Sequence, residues 1–126
     1  MNTIIHLRNN DIVENYFATL KNNPSKRIEE ILRITAKSSA SRFYVTFENA
    51  RRFTSLLMRG KRLPITNSNK RKMYMEIYRR YRERVKDSDA RYKYLILEDI
   101  IEEPAPSFYL DEEIIRQIVY TTLRKL

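Results

Sequence analysis

At 126 residues the chain is long enough for one compact domain or for two small units that share a core. Hydrophobic residues make up 42% of it, which excludes global disorder, and one glycine with four prolines argues against a turn-rich sheet protein and against glycine-rich phosphate loops. The formal net charge of +9 favours polyanionic partners, and the absence of cysteine excludes disulfide frames and thiolate metal sites.

The first helix is predicted over about 11–21, with Ile12, Val13, Tyr16 and Leu20 on one face. Residues 1–8 carry neither the basic stretch nor the long apolar run of a signal peptide. Asn22-Asn23-Pro24 ends the helix, and Ser25 is the expected N-cap of a second one reaching about residue 37. Ile28, Ile31, Leu32 and Thr35 form its buried stripe. A connector over 38–45 carries Phe43-Tyr44. Thr46 then caps a third helix whose inner side holds Phe47, Ala50, Phe53, Thr54 and Leu57, and Gly60 stops it, with Pro64 close behind. Val45 and Ala50 stand at the positions of a hydrophobic staple.

A long basic helix is predicted over about 69–86, with Tyr74, Ile77, Tyr78, Tyr81 and Val85 inward. Asp87-Ser88-Asp89 reads as a turn and cap. The fifth helix runs to about 103 with Tyr92, Leu95, Ile96 and Ile100 inward, and Pro104 and Pro106 forbid its continuation. Asp111 caps the last helix, Leu110 and Ile115 form a stronger staple, and Ile114, Ile118, Val119, Thr122 and Leu123 supply its apolar face. No apolar run approaches the roughly 20 residues of a membrane span. The expectation is a soluble, intracellular protein without membrane contact.

The chain resembles itself. Residues 1–61 laid on 66–126 without a gap agree at about 12 positions, against roughly four for chance at this composition. The matches cluster where 40–51 falls on 105–116, in a box A-x-x-F-Y-[VL]-[TD]-x-E-x-x-R. Ile77 falls on Ile12, Tyr81 on Tyr16 and Val85 on Leu20. The expected fold is therefore all-α, six helices in two similar three-helix units, 1–63 and 64–126, sharing a core. Within the box, Phe43 and Phe108 are expected to plug their own units. Tyr44 and Tyr109 are either core-edge anchors, or they stack on bases or form a paired contact surface. Arg51 and Arg116 are at i,i+3 from Glu48 and Glu113, a spacing that suits a helical ion pair.

Charge is unevenly spread. Residues 42–86 hold about 14 basic and three acidic side chains, and 87–113 hold about nine acidic and two basic. The basic stretch nominates Arg51, Arg52, Arg59, Lys61, Arg62, Lys70, Arg71, Lys72, Arg79, Arg80, Arg82 and Lys86 as phosphate contacts. On a helical wheel Lys72, Arg79, Arg80 and Lys86 point away from the apolar face, while Arg71, Arg82 and Arg84 flank it. Arginines outnumber lysines, which suits forked phosphate contacts. Such a surface binds the backbone of DNA or RNA in a salt-sensitive way that is largely independent of sequence. A three-helix unit also permits helix-turn-helix docking, with Arg51, Arg52, Ser55 and Arg59 on the first reader helix and Arg116, Gln117, Thr121 and Arg124 on a weaker second.

The acidic residues Glu98-Asp99, Glu102-Glu103 and Asp111-Glu112-Glu113 stand mostly at helix ends, where capping or solvated roles suffice, so no metal site and no cofactor is expected. Tyr44, Tyr109, Glu102 and Glu103 are the candidate protein contacts. An acidic patch facing the basic surface of a second copy would give a homo-oligomer, as a ring or filament. His6 is the sole histidine and lies in a segment expected to be loose. Without cysteine, and with no tyrosine singled out as a nucleophile, no catalytic residue is nominated and the expectation is a non-enzyme.

The segments Ala105-Pro106-Ser107-Phe108-Tyr109-Leu110, 40–45 and Met73-Tyr74-Met75-Glu76-Ile77-Tyr78-Arg79-Arg80 resemble small basic helical proteins carried by bacteriophages and mobile elements of gut bacteria. The resemblance implies a phage-related setting, in the cytoplasm of a bacterial host cell or in a virion, and brings no catalytic residues. The leading expectation is a non-catalytic nucleic-acid-binding protein of phage or mobile-element type. The alternative is a virion structural or assembly protein, such as a capsid, connector or packaging component, acting through phage structural partners.

Overall fold

The computed structural model describes residues 3–86 and 89–125, and among these the chain is all-α, with six helices and no strand. They are α1 (Thr3–Asn22), α2 (Ile28–Ala36), α3 (Phe47–Met58), α4 (Ser68–Val85), α5 (Lys93–Ile101, after a 3-10 turn at Ala90–Tyr92) and α6 (Glu112–Arg124). None is long and apolar enough to cross a membrane among the described residues.

Helix ends follow local chemistry. Thr46 caps α3 by accepting the Asn49 amide at 3.2 Å, and Asn67 caps α4 by accepting the Lys70 amide at 3.0 Å. Gly60 closes α3 at φ 74°, where the Lys61 amide donates to Leu56 O at 2.9 Å and the Gly60 amide to Leu57 O at 3.0 Å. That pair of bonds is a Schellman motif, and the left-handed backbone it needs suits glycine.

Several expectations shift, and Ile28 and Ile114, expected on the apolar faces of α2 and α6, are exposed. α1 begins at Thr3, not near residue 11, so His6 is an exposed helical residue. No proline or glycine lies in 3–10, and a nucleated helix propagates until something stops it. Ser25 does not cap α2, because the turn after α1 runs on to Lys26, whose amide donates to Asn23 O at 3.1 Å, and Arg27 takes the cap position. In α5 the buried residues are Leu97, Ile100 and Ile101, while Tyr92 and Leu95 are 52% and 55% exposed. The 3-10 turn before α5 winds more tightly than an α-helix and rotates the phase of the residues leading into it. Of the expected turn at 87–89, residues 87 and 88 lie outside the described residues. Asp89 accepts the Arg91 amide at 3.0 Å.

The helices group into two compact units that do not follow the division at residue 63. One is Met1–Tyr44 with Pro104–Leu126, and the other is Val45–Glu103. In the first, α1, α2 and α6 pack on one another, and in the second α3, α4 and α5 do. The third helix of each half is thus lodged with the first two helices of the other half. In the second connector Pro104 bars α5 from continuing, and Pro106 favours the extended backbone that Ala105 uses in its bridge to Ala40.

The first unit centres on Ile12, Tyr16, Ile31, Leu32, Ile115 and Val119. Its connectors meet at an isolated antiparallel bridge, where the Ala40 and Ala105 amides each donate to the other's carbonyl at 3.0 Å. Phe43 stacks on Tyr109 with centroids 6.3 Å apart, and Tyr44 stacks on Phe108 at 6.4 Å. Phe43 and Phe108 are both buried in this one unit, so Phe108 lies with α1, α2 and α6 and not with the helices of 64–103. The second unit centres on Ala50, Phe53, Tyr74, Ile77, Leu97 and Ile100. The Phe53 and Tyr74 rings lie 4.7 Å apart there, a pairing worth about 0.5–1.5 kcal/mol beyond its area.

Candidate nucleic-acid interface

Every cation nominated from the sequence belongs to the unit spanning Val45–Glu103. α3 carries Arg51 and Arg52, its C-cap is Arg59, and the following linker carries Lys61 and Arg62. α4 carries Lys70, Arg71, Lys72, Arg79, Arg80 and Arg82, and Lys86 is its C-cap. Ten of these twelve are exposed, Arg71 and Arg80 being half-buried.

Those two serve the fold. Arg71 donates through Nη1 to the carbonyls of Leu63 at 3.3 Å and Ile65 at 2.9 Å, fastening the linker that leads into α4. Arg80 donates to Glu76 at 2.7 Å and to Glu103 at 3.2 Å. Arg79 is exposed but grips the same Glu76 through both carboxylate oxygens, at 2.9 and 2.8 Å. Arg84, a flanking residue, donates to Glu103 at 2.8 Å. Two carboxylates therefore bind three arginines. Hydrogen bonds from Arg79, then Arg80, hold the Glu76 carboxyl below its ordinary value, and a hydrogen bond from Arg84 does the same for Glu103.

The remaining cations keep their charge for solvent. Arg51, Arg52, Lys61, Arg62, Lys70, Lys72, Arg82 and Lys86 make no ion pair among the described residues. Two of them rest against rings, Arg52 at 5.1 Å from the Phe53 centroid and Arg82 at 5.4 Å from Tyr78. Such contacts orient a guanidinium without neutralising it. Arg59 donates from Nε to Ser55 O at 3.4 Å, which leaves its terminal nitrogens outward. Asn49, Arg52 and Lys70 stand along a groove of about 400 Å³ where α3 meets the start of α4.

The nominated protein contacts separate. Glu102 is exposed, and Glu103 is occupied by arginines. In the other unit the Tyr44 hydroxyl donates to Asp11 Oδ2 at 2.6 Å and lies 2.9 Å from Ser41 Oγ. Burial and the Asp11 bond push its phenol up to about 12. Tyr109 has φ 55°, a left-handed backbone held by its amide donating to Ser107 Oγ at 2.8 Å and by the stack on Phe43. Arg116 pairs with Glu29 of α2 at 3.1 Å, not with Glu113 in its own helix, and Arg51 does not pair with Glu48.

Sequence reasoning missed Asp11 and Glu76 as acceptor hubs. For Glu76 the signal was present, since Arg79 and Arg80 follow it at i+3 and i+4, whereas the self-overlay lays Asp11 on Glu76 without pointing to its distant partners. No group of three or more metal-ligating side chains converges among the described residues. Comparison with protein-family models, with curated proteins and with solved structures returns no match.

Proposed function

We propose that this protein binds the phosphate backbone of DNA or RNA, without catalysis or cofactor, through the surface of α3, α4 and the linker between them, in a bacteriophage or mobile-element setting. One observation carries the reading. Within a unit whose two central carboxylates are taken up by three arginines, eight further cations have no carboxylate partner among the described residues. Unneutralised, outward cations release condensed counterions when they meet phosphates, and that release drives binding. The experiment is fluorescence anisotropy on duplex and single-stranded probes across a salt series. Changing Lys72, Arg82 and Lys86 together to Glu is expected to weaken binding at least tenfold and to flatten the duplex salt slope by about 0.9 for each phosphate that is no longer neutralised. An unchanged slope in that variant sinks the reading. Arg80→Glu is a poor probe, because it also breaks up the Glu76 and Glu103 pairs.

The two units read as copies of one three-helix ancestor whose third helices have changed places. With residue 1 laid on residue 66, α1, α2 and α6 correspond to α4, α5 and α3. Buried positions then coincide: Ile12 with Ile77, Tyr16 with Tyr81, Leu32 with Leu97, Ala50 with Ile115. The Ala40–Ala105 bridge joins a residue to its own copy. An assembly role in a virion is the second reading, supported by the exposed Tyr92 and Leu95. Light scattering checks it, since a monomer at high concentration and low salt argues against it.

A further inference from the structure

α3, α4 and α5 enclose a crevice of about 360 Å³, within the roughly 300–1,000 Å³ of small-molecule sites. Its floor is Thr54, Tyr81 and Leu97, all buried, and its rim carries Arg51, Ser55, Lys93 and Tyr94, all exposed. The Thr54 hydroxyl is buried without a hydrogen-bond partner, although its residue is only 3% exposed. A helical threonine normally returns its hydroxyl to the carbonyl four residues back, as Thr35 does to Ile31 O at 2.8 Å. An unmade bond in a buried place is costly unless something else makes it. Tyr94 is 62% exposed, yet its ring is set by an edge contact with Phe47 at 6.3 Å, so it offers an oriented aromatic face.

The corresponding place in the other unit shows what this crevice lacks. There the overlay sets Val119 for Thr54, Tyr120 for Ser55, Ile28 for Lys93 and Glu29 for Tyr94. Tyr120 supplies bulk where Ser55 leaves space, and Arg116 is neutralised by Glu29. Arg51 is the copy of Arg116, and the copy of its carboxylate partner is an aromatic ring. One unit thus completes its own ion pair, and the other presents a cation, a ring and a spare hydroxyl around a cavity.

We infer that this crevice takes one nucleotide unit, with an unstacked base against Tyr94 and Tyr81, its polar edge bonded to the Thr54 hydroxyl, and its phosphate between Arg51 and Lys93. Base–aromatic stacking is tolerant of sequence, and a phosphate stands in for the carboxylate that Arg51 lacks. Where the nucleotide belongs to a strand, the inference rests on the phosphate-binding reading above and deepens it to a preference for single strands or frayed ends. Where it is a free mononucleotide, the crevice binds without the rest of the surface.

The test uses the whole protein with four probes: a mixed-sequence single strand, its blunt duplex, AMP and inorganic phosphate. Two exposed positions are varied, so the fold is not at issue. Ser55→Tyr places at 55 the side chain found at 120, and Tyr94→Ala removes the stacking face. Lys72→Glu, outside the crevice, is the control. Each crevice variant is expected to lower single-strand affinity about tenfold, inside the ~5- to 150-fold range for removal of one base stack, with duplex affinity held within about twofold. The control is expected to lower both alike. If the crevice variants leave single-strand binding unchanged, or lower single-strand and duplex binding equally, the inference is overturned. If no polymer binds, the phosphate-binding reading fails by itself. Saturable AMP binding that Ser55→Tyr abolishes and inorganic phosphate does not mimic then upholds the crevice as a mononucleotide site, and its absence overturns that too.

Discussion

Asp11 is a short side chain that satisfies four donors. Its Oδ1 accepts Asn15 Nδ2 at 2.9 Å, and its Oδ2 accepts the Ser41 amide at 2.9 Å, the Ser41 hydroxyl at 2.8 Å and the Tyr44 hydroxyl at 2.6 Å. The cluster pins the first connector to α1. The Tyr44 phenol is held protonated to about 12 against an ordinary 10.0, because burial and the bond to Asp11 both disfavour a phenolate. A proton bound more tightly in the folded state stabilises fully below the unfolded value. That stabilisation is lost as pH rises from about 10 through about 12. Tyr16, Tyr74 and Tyr81 are raised by burial as well, so they share the same side of the profile. Tyr44→Phe is expected to lose about 0.5–1.5 kcal/mol at neutral pH and to show a shallower fall in urea midpoint between pH 10 and 12. A fall as steep as that of the parent would mean that this hydroxyl is not held by Asp11. The doubled Phe-Tyr box was legible in the sequence because it is a local string. The connector-pinning role of Asp11 was not, because Ser41 and Tyr44 lie 30 and 33 residues away and no spacing rule reaches that far.

α4 shows what a helical wheel can and cannot read. The wheel separates its apolar face from its cations, and Ile77 and Tyr81 are buried as it requires. It cannot tell a working cation from a structural one, since Glu103 meets Arg80 and Arg84 from 23 and 19 residues away. The misread phase of α5 has a related cause. The segment from Tyr92 to Ile101 is apolar on most sides, so spacing admits more than one buried face, and matching Leu97 to Leu32, on which the self-overlay lays it, would have chosen correctly. Glu76 and Glu103 sit below their ordinary value, so their pairing contributes above about pH 4.5 and is lost as pH falls through their folded values. Both are partly exposed, and pairs of this kind are worth about 0.2–1 kcal/mol each after screening. Glu76→Gln removes one negative charge and releases Arg79 and Arg80 from their strongest partner. The expected result is a slightly lower melting temperature together with tighter nucleic-acid binding and a salt slope steeper by about 1 or 2. Weaker binding in this variant would show that the arginines act only when Glu76 positions them, and the picture of independent phosphate contacts would then be abandoned.

Across the whole chain, the self-overlay was legible, but the identity of each helix's neighbours was not. Periodicity tells which side of a helix is apolar. It does not tell whose apolar side it meets, and α3 is as good a lid for α4 and α5 as for the helices that precede it. The grouping of α1 and α2 with α6, and of α3 with α4 and α5, makes a prediction that the sequential division of 1–63 and 64–126 does not share. Cutting the linker between Arg62 and Leu63 leaves fragments 1–62 and 63–126. The first then holds α1 and α2 without α6, and α3 without α4 and α5, while the second holds the complementary set. Each compact unit needs helices from both fragments, and units of roughly 60 residues have little core to lose. Either fragment alone is expected to show depressed helicity by circular dichroism, or to pair weakly with itself by setting its spare third helix on a second copy. An equimolar mixture is expected to regain the helicity of the intact chain and to elute as a one-to-one complex in size exclusion with light scattering. Two fragments that fold fully as separate monomers would restore the sequential division and overturn this grouping. The same mixture also bears on function, because α3 with Lys61 and Arg62 falls in one fragment and α4 in the other, and together they carry the cations that make no ion pair among the described residues. Nucleic-acid affinity that returns only on mixing would tie binding to the assembled α3–α4 surface and not to the charge of either fragment.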